Sequence, residues 1–361
     1  MDDVSTRLLS RRAVLLGGVC CAGCTDADPV GRCPDVMLKR GAPVTIGTCL
    51  NSADLDDPSL AALAARQFAQ ITPGFEMKMN AVVADDGRFR FEAADRVAAF
   101  AQRHGLAVHG HTLVWYKHQP AAFVRLAADR EAFVALYRRY ITAMVGRYRV
   151  RGWDVINEPV EHRGTALRDS LWTRVLGTEE HMLLAFHHAA EVAGGVPLFI
   201  NDYGLEAPGK RGAFLALVER LIRRGAPIGG VGTQTHVDID LQPGAIAAAI
   251  RDLGRLGLSV HVSELDISFG HARIEWRSDA RRRDLQARLA GEAADAFLAL
   301  PMRQRYAFTL WGVRDRDSWL NQPPFAAGDQ PLAFDDAGVP KPMACAIADA
   351  LHGAGGMTRP S

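Results

Sequence analysis

The chain has 361 residues, 48% of them hydrophobic and 23% charged, which is ordinary globular composition and enough for one large domain or two modest ones. Its 42 basic and 41 acidic side chains leave a formal charge of +1, a balance that argues against a polyanion such as nucleic acid as partner. No stretch is long and apolar enough to be a transmembrane segment.

Residues 1–34 read as an export signal and short linker rather than as fold. Ser10-Arg11-Arg12, followed by the short apolar run Ala13 to Cys24, resembles a twin-arginine signal. Cys21-Ala22-Gly23-Cys24 is close to the lipobox of bacterial lipoproteins and would make Cys24 a lipid anchor. The usual aliphatic residue three positions before that cysteine is replaced by Cys21, so plain cleavage stays open. A periplasmic or extracellular location is expected, free or tethered. Outside the signal stand Cys33, Cys49 and Cys345. Cys33 and Cys345 flank the domain and are the expected pair, while Cys49 ends an apolar run and is expected as a buried thiol. No Cys/His spacing resembles a zinc site, and neither metal nor cofactor is expected.

From residue 35 to 352 one rhythm repeats. Short β-rich runs at Val44–Thr48, Phe68–Ile71, Ala107–His109, Gly152–Ile156, Pro197–Ile200, Gly229–Gly232, Ser259–Ser263 and Tyr306–Leu310 alternate with amphipathic stretches. Ala94, Val97, Ala98 and Ala101, and later Phe214, Leu217, Val218 and Leu221, have helical spacing. Strand-then-helix repeated in this way predicts an α/β fold, a single (β/α)₈ TIM barrel. A doubly wound open sheet would require a glycine-rich phosphate loop after an early strand, which is missing. Arg281-Arg282-Arg283 reads as a solvated helix face, Asn321–Gly328 as a loop near the last strand, and residues 353–361 as a flexible tail.

In a barrel the active residues stand just past the C-terminal ends of the strands. Here the second run is followed by Glu76 and Lys78, the third by His111 and Trp115, and the fourth by Asn157-Glu158-Pro159. The fifth leads to Asn201-Asp202-Tyr203, the sixth to Gln234-Thr235-His236, the seventh to Glu264 and Asp266, and the eighth to Trp311. Carboxylates, amides, imidazoles and indoles thus converge on one rim. Two glutamates across one cavity are the equipment for breaking a glycosidic bond. Either alone would as often be a salt-bridge partner or a cap; the pair, with Asn157 before the first, is more specific. Glu264 is read as the nucleophile, held by His236 with Asp266 in support. Glu158 is read as the acid that protonates the leaving oxygen. Charge on Glu264 favours that proton, and once Glu264 is glycosylated Glu158 is free to act as base toward water. Retention calls for carboxyls about 5–5.5 Å apart. Asn157 is a candidate for the sugar 2-hydroxyl, Lys78 and His111 for other hydroxyls, and Trp115, Trp311 and Trp319 for stacking. His104, His187 and His188 fall on helical stretches and read as packing or surface residues.

These residues resemble the endo-xylanases of glycoside hydrolase family ten over about residues 35–352. The resemblance is carried by Ile71-Thr72-Pro73 with Glu76-Met77-Lys78, Gly110-His111-Thr112-Leu113-Val114-Trp115, and Trp153-Asp154-Val155-Ile156-Asn157-Glu158-Pro159. It continues in Leu167-Arg168-Asp169-Ser170, Asn201-Asp202-Tyr203, Gln234-Thr235-His236, Ser263-Glu264-Leu265-Asp266-Ile267 and Leu310-Trp311-Gly312-Val313. It implies a retaining endo-1,4-β-xylanase with acid/base Glu158 and nucleophile Glu264; a monomer is expected separately. It also implies xylan contacts from Lys78, His111, Trp115, Asn157, Tyr203, Gln234, His236, Trp311 and Trp319. The chain departs from the pattern at Gly74-Phe75, where the family usually has Glu-Asn, at Met79 for Trp, at Tyr116 for His and at His118 for Gln. An altered preference for chain length or side groups is expected from this. A β-glucanase and a non-catalytic carbohydrate-binding barrel are the competing readings; the second would be expected to lack one of the carboxyls.

Overall fold

A computed structural model describes residues 36–162, 164–270, 277–325 and 327–353. The export signal, Cys33 and the C-terminal tail lie outside the described residues. Ten strands form one sheet among them. They are β1 (Ile46–Cys49), β2 (Gln70–Thr72), β3 (Ala107–Val108), β4 (Val114–Trp115), β5 (Trp153–Asn157), β6 (Leu198–Asp202), β7 (Gly230–Thr233), β8 (His236–Asp238), β9 (Ser259–Ser268) and β10 (Arg305–Leu310). The sheet order is β3-β2-β1-β10-β9-β7-β6-β5-β4, with β8 alongside β9, and these pairings are parallel. Since β3 and β4 are successive pieces of one stave, and Gly110 between them bridges to Trp153 of β5, the ends of the sheet meet. The result is the (β/α)₈ barrel.

Parallel strands are covered on both faces, so they read as near-continuous apolar runs. Val155, Ile156, Phe199, Ile200, Val231, Val260, Val262, Phe308 and Leu310 are all buried. Helices Glu92–Arg103 and Pro208–Arg223 turn Val97, Ala101, Phe214, Leu217, Val218 and Leu221 onto the barrel. Among the described residues no helix is long and apolar enough to cross a membrane. Gly110 is required where the third stave meets β5: a Cβ there would lie 2.2 Å from the Trp153 ring. Larger residues would push the stave off its neighbour.

The eight predicted runs are present, with two differences. The third stave is broken, and β4 appears only as a two-residue segment carrying Trp115. The strand predicted to end at Ser263 runs on to Ser268 because its outer half gains its own partner, His236 pairing with Asp266 through β8. Glu264 and Asp266 are therefore inside a strand rather than in the loop after it. Arg281 and Arg282 lie on helix Asp279–Leu298 and pair with Asp284 and Asp279. Cys345 is disulfide-bonded and Cys49 is a free, buried thiol.

Candidate active site

A cavity of about 590 Å³ is lined by residues from the C-terminal strand ends. Lys78 reaches it from the segment after β2, His111 and Trp115 from the third stave, and Asn157 and Glu158 from β5. Tyr203 follows β6, Gln234 and His236 flank the β7–β8 junction, Glu264 projects from β9, and Trp311 and Trp319 come from the segment after β10. Asp266 stands behind them, buried.

Glu264 sits among cations. His236 Nε2 lies 3.2 Å from Glu264 Oε2, and His236 Nδ1 lies 2.9 Å from Asp266 Oδ1. Asp266 in turn accepts from Trp319 Nε1 at 2.8 Å. Burial would depress the His236 pKa, but the carboxylates of Asp266 and Glu264 outweigh it and raise it to about 10. The ring is an imidazolium with both nitrogens committed to carboxylates. For Glu264, burial would favour the neutral acid, yet the His236 hydrogen bond and the fields of His111 and Lys78 hold its pKa below the usual range. Asn201 Nδ2 donates to Glu264 Oε1 at 2.8 Å. The carboxylate is ionised and fixed through both oxygens. Lys78 is itself buried, which lowers its pKa against the pull of Glu264, and its Nζ lies 4.6 Å from the Trp115 ring.

Glu158 is held differently. Its Oε1 accepts from Gln234 Nε2 at 3.2 Å and from Asn157 Nδ2 at 3.3 Å, both neutral carboxamides. Asn157 Oδ1 accepts from Asn201 and Gln234, so a chain of amides runs from one glutamate to the other. Consecutive strand residues point to opposite faces, yet Asn157 and Glu158 both line the cavity. The backbone at Glu158 turns into the left-handed region, φ 56°, which accounts for it. A non-glycine residue there costs roughly 1–3 kcal/mol, and such residues persist where the surroundings fix them.

Beneath the cavity, Asp154 takes His111 Nδ1 at 2.8 Å and His109 Nε2 at 3.1 Å. This orients the His111 ring, whose edge faces Trp311 with centroids 5.3 Å apart. Among the described residues, His109, Asp154 and His261 are a group that could hold a metal, their ligand atoms lying within 4.8 Å of one another. His109 Nε2 already pairs with Asp154, His109 Nδ1 lies 3.0 Å from the Tyr306 hydroxyl, and His261 Nε2 lies 2.8 Å from the Thr309 hydroxyl.

Of the unusual residues, Gly74 lines the cavity, whereas Phe75, Tyr116 and His118 stand outside its wall. Phe75 is 52% exposed with its ring against His118, and Tyr116 carries the Arg168 guanidinium. A Cβ on Gly74 would lie 2.6 Å from Cys49 Sγ and 2.8 Å from Asn51 Oδ1. The missing side chain has let Cys49 and Asn51 close over position 74.

Some lining residues carry no sequence signal of their own. Asn51 and Asp54 bring β1 into the site, but Asn51-Ser52-Ala53-Asp54 looks like an ordinary polar turn and folds as the short 3₁₀ helix Ala53–Asp56. Asn201 touches Glu264 although only its motif had been singled out. Its register opposite Asn157 in the β5–β6 pair was the available clue.

The family model described as glycosyl hydrolase family 10 matches residues 35–350. Endo-1,4-beta-xylanase 2 of Claviceps purpurea is 31% identical over 317 residues, covering 87% of this chain and 89% of that protein. Exoglucanase XynX of Acetivibrio thermocellus is 32% identical over 334 residues, which cover 88% of this chain but 29% of that protein's length. The solved structure of GH10 from Paenibacillus barcinonensis has a TM-score of 0.80 at 31% identity, covering 88% of this chain and 97% of that one.

Proposed function

The chain belongs to glycosyl hydrolase family 10, and from that membership we propose that it is an endo-1,4-β-xylanase acting with retention through a covalent glycosyl-enzyme. The name of its Claviceps purpurea relative supports the substrate. The observation that carries the division of labour is the contrast within one cavity. Glu264 meets the His236 ring at one oxygen and the Asn201 amide at the other, with Lys78 nearby, whereas the Glu158 carboxyl takes amides alone. Glu264 attacks the anomeric carbon while Glu158 gives its proton to the departing oxygen, so one C–O bond forms as the glycosidic bond breaks. Water then attacks the same carbon, gives its proton to Glu158 and releases Glu264. Asn157 serves the sugar 2-hydroxyl, Lys78, His111 and Gln234 the other hydroxyls, and Trp115, Trp311 and Trp319 the ring faces. Tyr203 closes the leaving-group side. His236, with Asp266 behind it, keeps Glu264 charged.

Proton NMR of the first product released from xylo-oligosaccharides tests this scheme. The β-anomer is expected first, and the α-anomer would end the retaining reading. A β-glucan is the second substrate reading, favoured by the relative named Exoglucanase XynX. Faster reducing-sugar release from carboxymethyl cellulose than from xylan would establish it.

We also propose export through the Arg11-Arg12 signal, followed either by lipidation of Cys24 or by plain cleavage. Fractionating cells that carry Arg11→Lys/Arg12→Lys or Cys24→Ala tests both steps. The first variant is expected to stay inside the cell, and the second to leave the membrane fraction if lipidation is the route.

A further inference from the structure

The left-handed turn at Glu158 raises the question of what holds it. Pro159 follows, so the turn receives no backbone hydrogen bond from the next residue. The Glu158 N–H donates to the Asn201 carbonyl at 2.7 Å. Its carbonyl oxygen accepts from Arg168 Nε at 3.0 Å. Arg168 is anchored at each of its other groups. Its backbone N–H donates to the Pro159 carbonyl at 2.9 Å, and its Nη2 donates to the Tyr203 hydroxyl at 2.6 Å. The guanidinium plane lies over the Tyr116 ring, 4.0 Å from its centroid. Stacking and a hydrogen bond thus fix a rigid, permanently charged group against the carbonyl of the left-handed Glu158.

We propose that Arg168, clamped between Tyr116 and Tyr203, is a positioning residue that keeps Glu158 in its left-handed turn and so aims its carboxyl at the leaving oxygen. Without the clamp the backbone relaxes toward the extended region, and an extended residue 158 points away from the face used by Asn157. The unusual Tyr116 belongs to this clamp rather than to the cavity wall.

The inference rests on the acid/base assignment of Glu158, and the test separates the two. Wild type, Glu158→Ala, Arg168→Met and Arg168→Lys are compared on two β-xylobiosides. One carries a dinitrophenyl group, which departs without a proton; the other carries an unsubstituted phenyl group, which needs one. The readout is kcat/KM, which reports the first step. Arg168→Met is expected to lose about tenfold or more on the phenyl substrate and less than about threefold on the dinitrophenyl substrate. An equal loss on both, or no loss on either, overturns the positioning role. If Glu158→Ala itself loses both substrates equally, the acid/base assignment falls instead. Arg168→Lys keeps the charge but not the fork, carries the same prediction, and serves if the Met variant does not fold, as judged by circular dichroism.

Discussion

The two halves of the cavity solve different electrostatic problems. Around Glu264, buried charges are matched with buried charges: His236, Asp266 and the nearby Lys78 hold the carboxylate in its ionised form. Around Glu158 the contacts to the carboxyl are carboxamides, and the Arg168 guanidinium is committed to its backbone carbonyl. A group held by an imidazolium can lose its charge only by breaking that pair. The two carboxyls thus differ in the donors that meet them, an imidazole and an amide at Glu264 and two amides at Glu158.

The hardest way to break this contrast is to remove the charged side. Glu264→Ala is expected to lower kcat on xylan by about 10⁴-fold or more, measured by reducing-sugar release; wild-type turnover would show the nucleophile to be elsewhere. Removing the neutral side costs less. Glu158→Ala is expected to lose about 10²-fold or more on xylan, with added azide restoring part of the rate on a dinitrophenyl xyloside.

A finer probe concerns the far end of the cavity, where Cys49, Asn51 and Gly74 are packed together. Gly74→Ala alone must displace both Cys49 Sγ and Asn51 Oδ1, and is expected to raise KM for xylotetraose by about fivefold, one hydrogen bond's worth. Adding Cys49→Ala is expected to return part of it, the Asn51 contact remaining. If the single and double variants have the same KM, the coupling is refuted. Installing the family's usual Glu-Asn at 74 and 75 therefore needs Cys49→Ala as well.

The smallest effect is on stability. His236 has its pKa raised from 6.5 to about 10 in the fold. Its contribution is therefore complete below about 6.5 and disappears as pH climbs through 10. The melting temperature of wild type is expected to fall over that window more than that of His236→Asn. Parallel curves would detach His236 from its carboxylates. Glu264 has the opposite sign: its contribution is present above 4.5 and is lost as pH falls through its lower folded value.

The barrel was legible because buried parallel strands advertise themselves as apolar runs, and Glu158 and Glu264 because they end or interrupt such runs. What escaped did so for physical reasons. The outer half of β9 carries Glu264, Asp266 and Ser268, polar residues that look like a strand's end unless its partner β8 is known. β4 is too short to have a period. Asn51 matters through the space vacated by Gly74, and no local pattern reports an empty space so far along the chain. Arg168 was visible within a motif, but its role depends on a single backbone torsion ten positions earlier.

The broken third stave leaves an uneven cylinder. β9 is a ten-residue strand with β7, β8 and β10 beside it, whereas the third stave meets β5 through a few backbone hydrogen bonds around Gly110 and Leu113 and the two-residue segment Val114–Trp115. Amide protons along residues 109–115 should therefore exchange with deuterated solvent well ahead of those in β9. Since that seam carries His111 and Trp115, warming the enzyme should abolish sugar binding while the helices still stand, so that inactivation precedes the melting seen in the far ultraviolet.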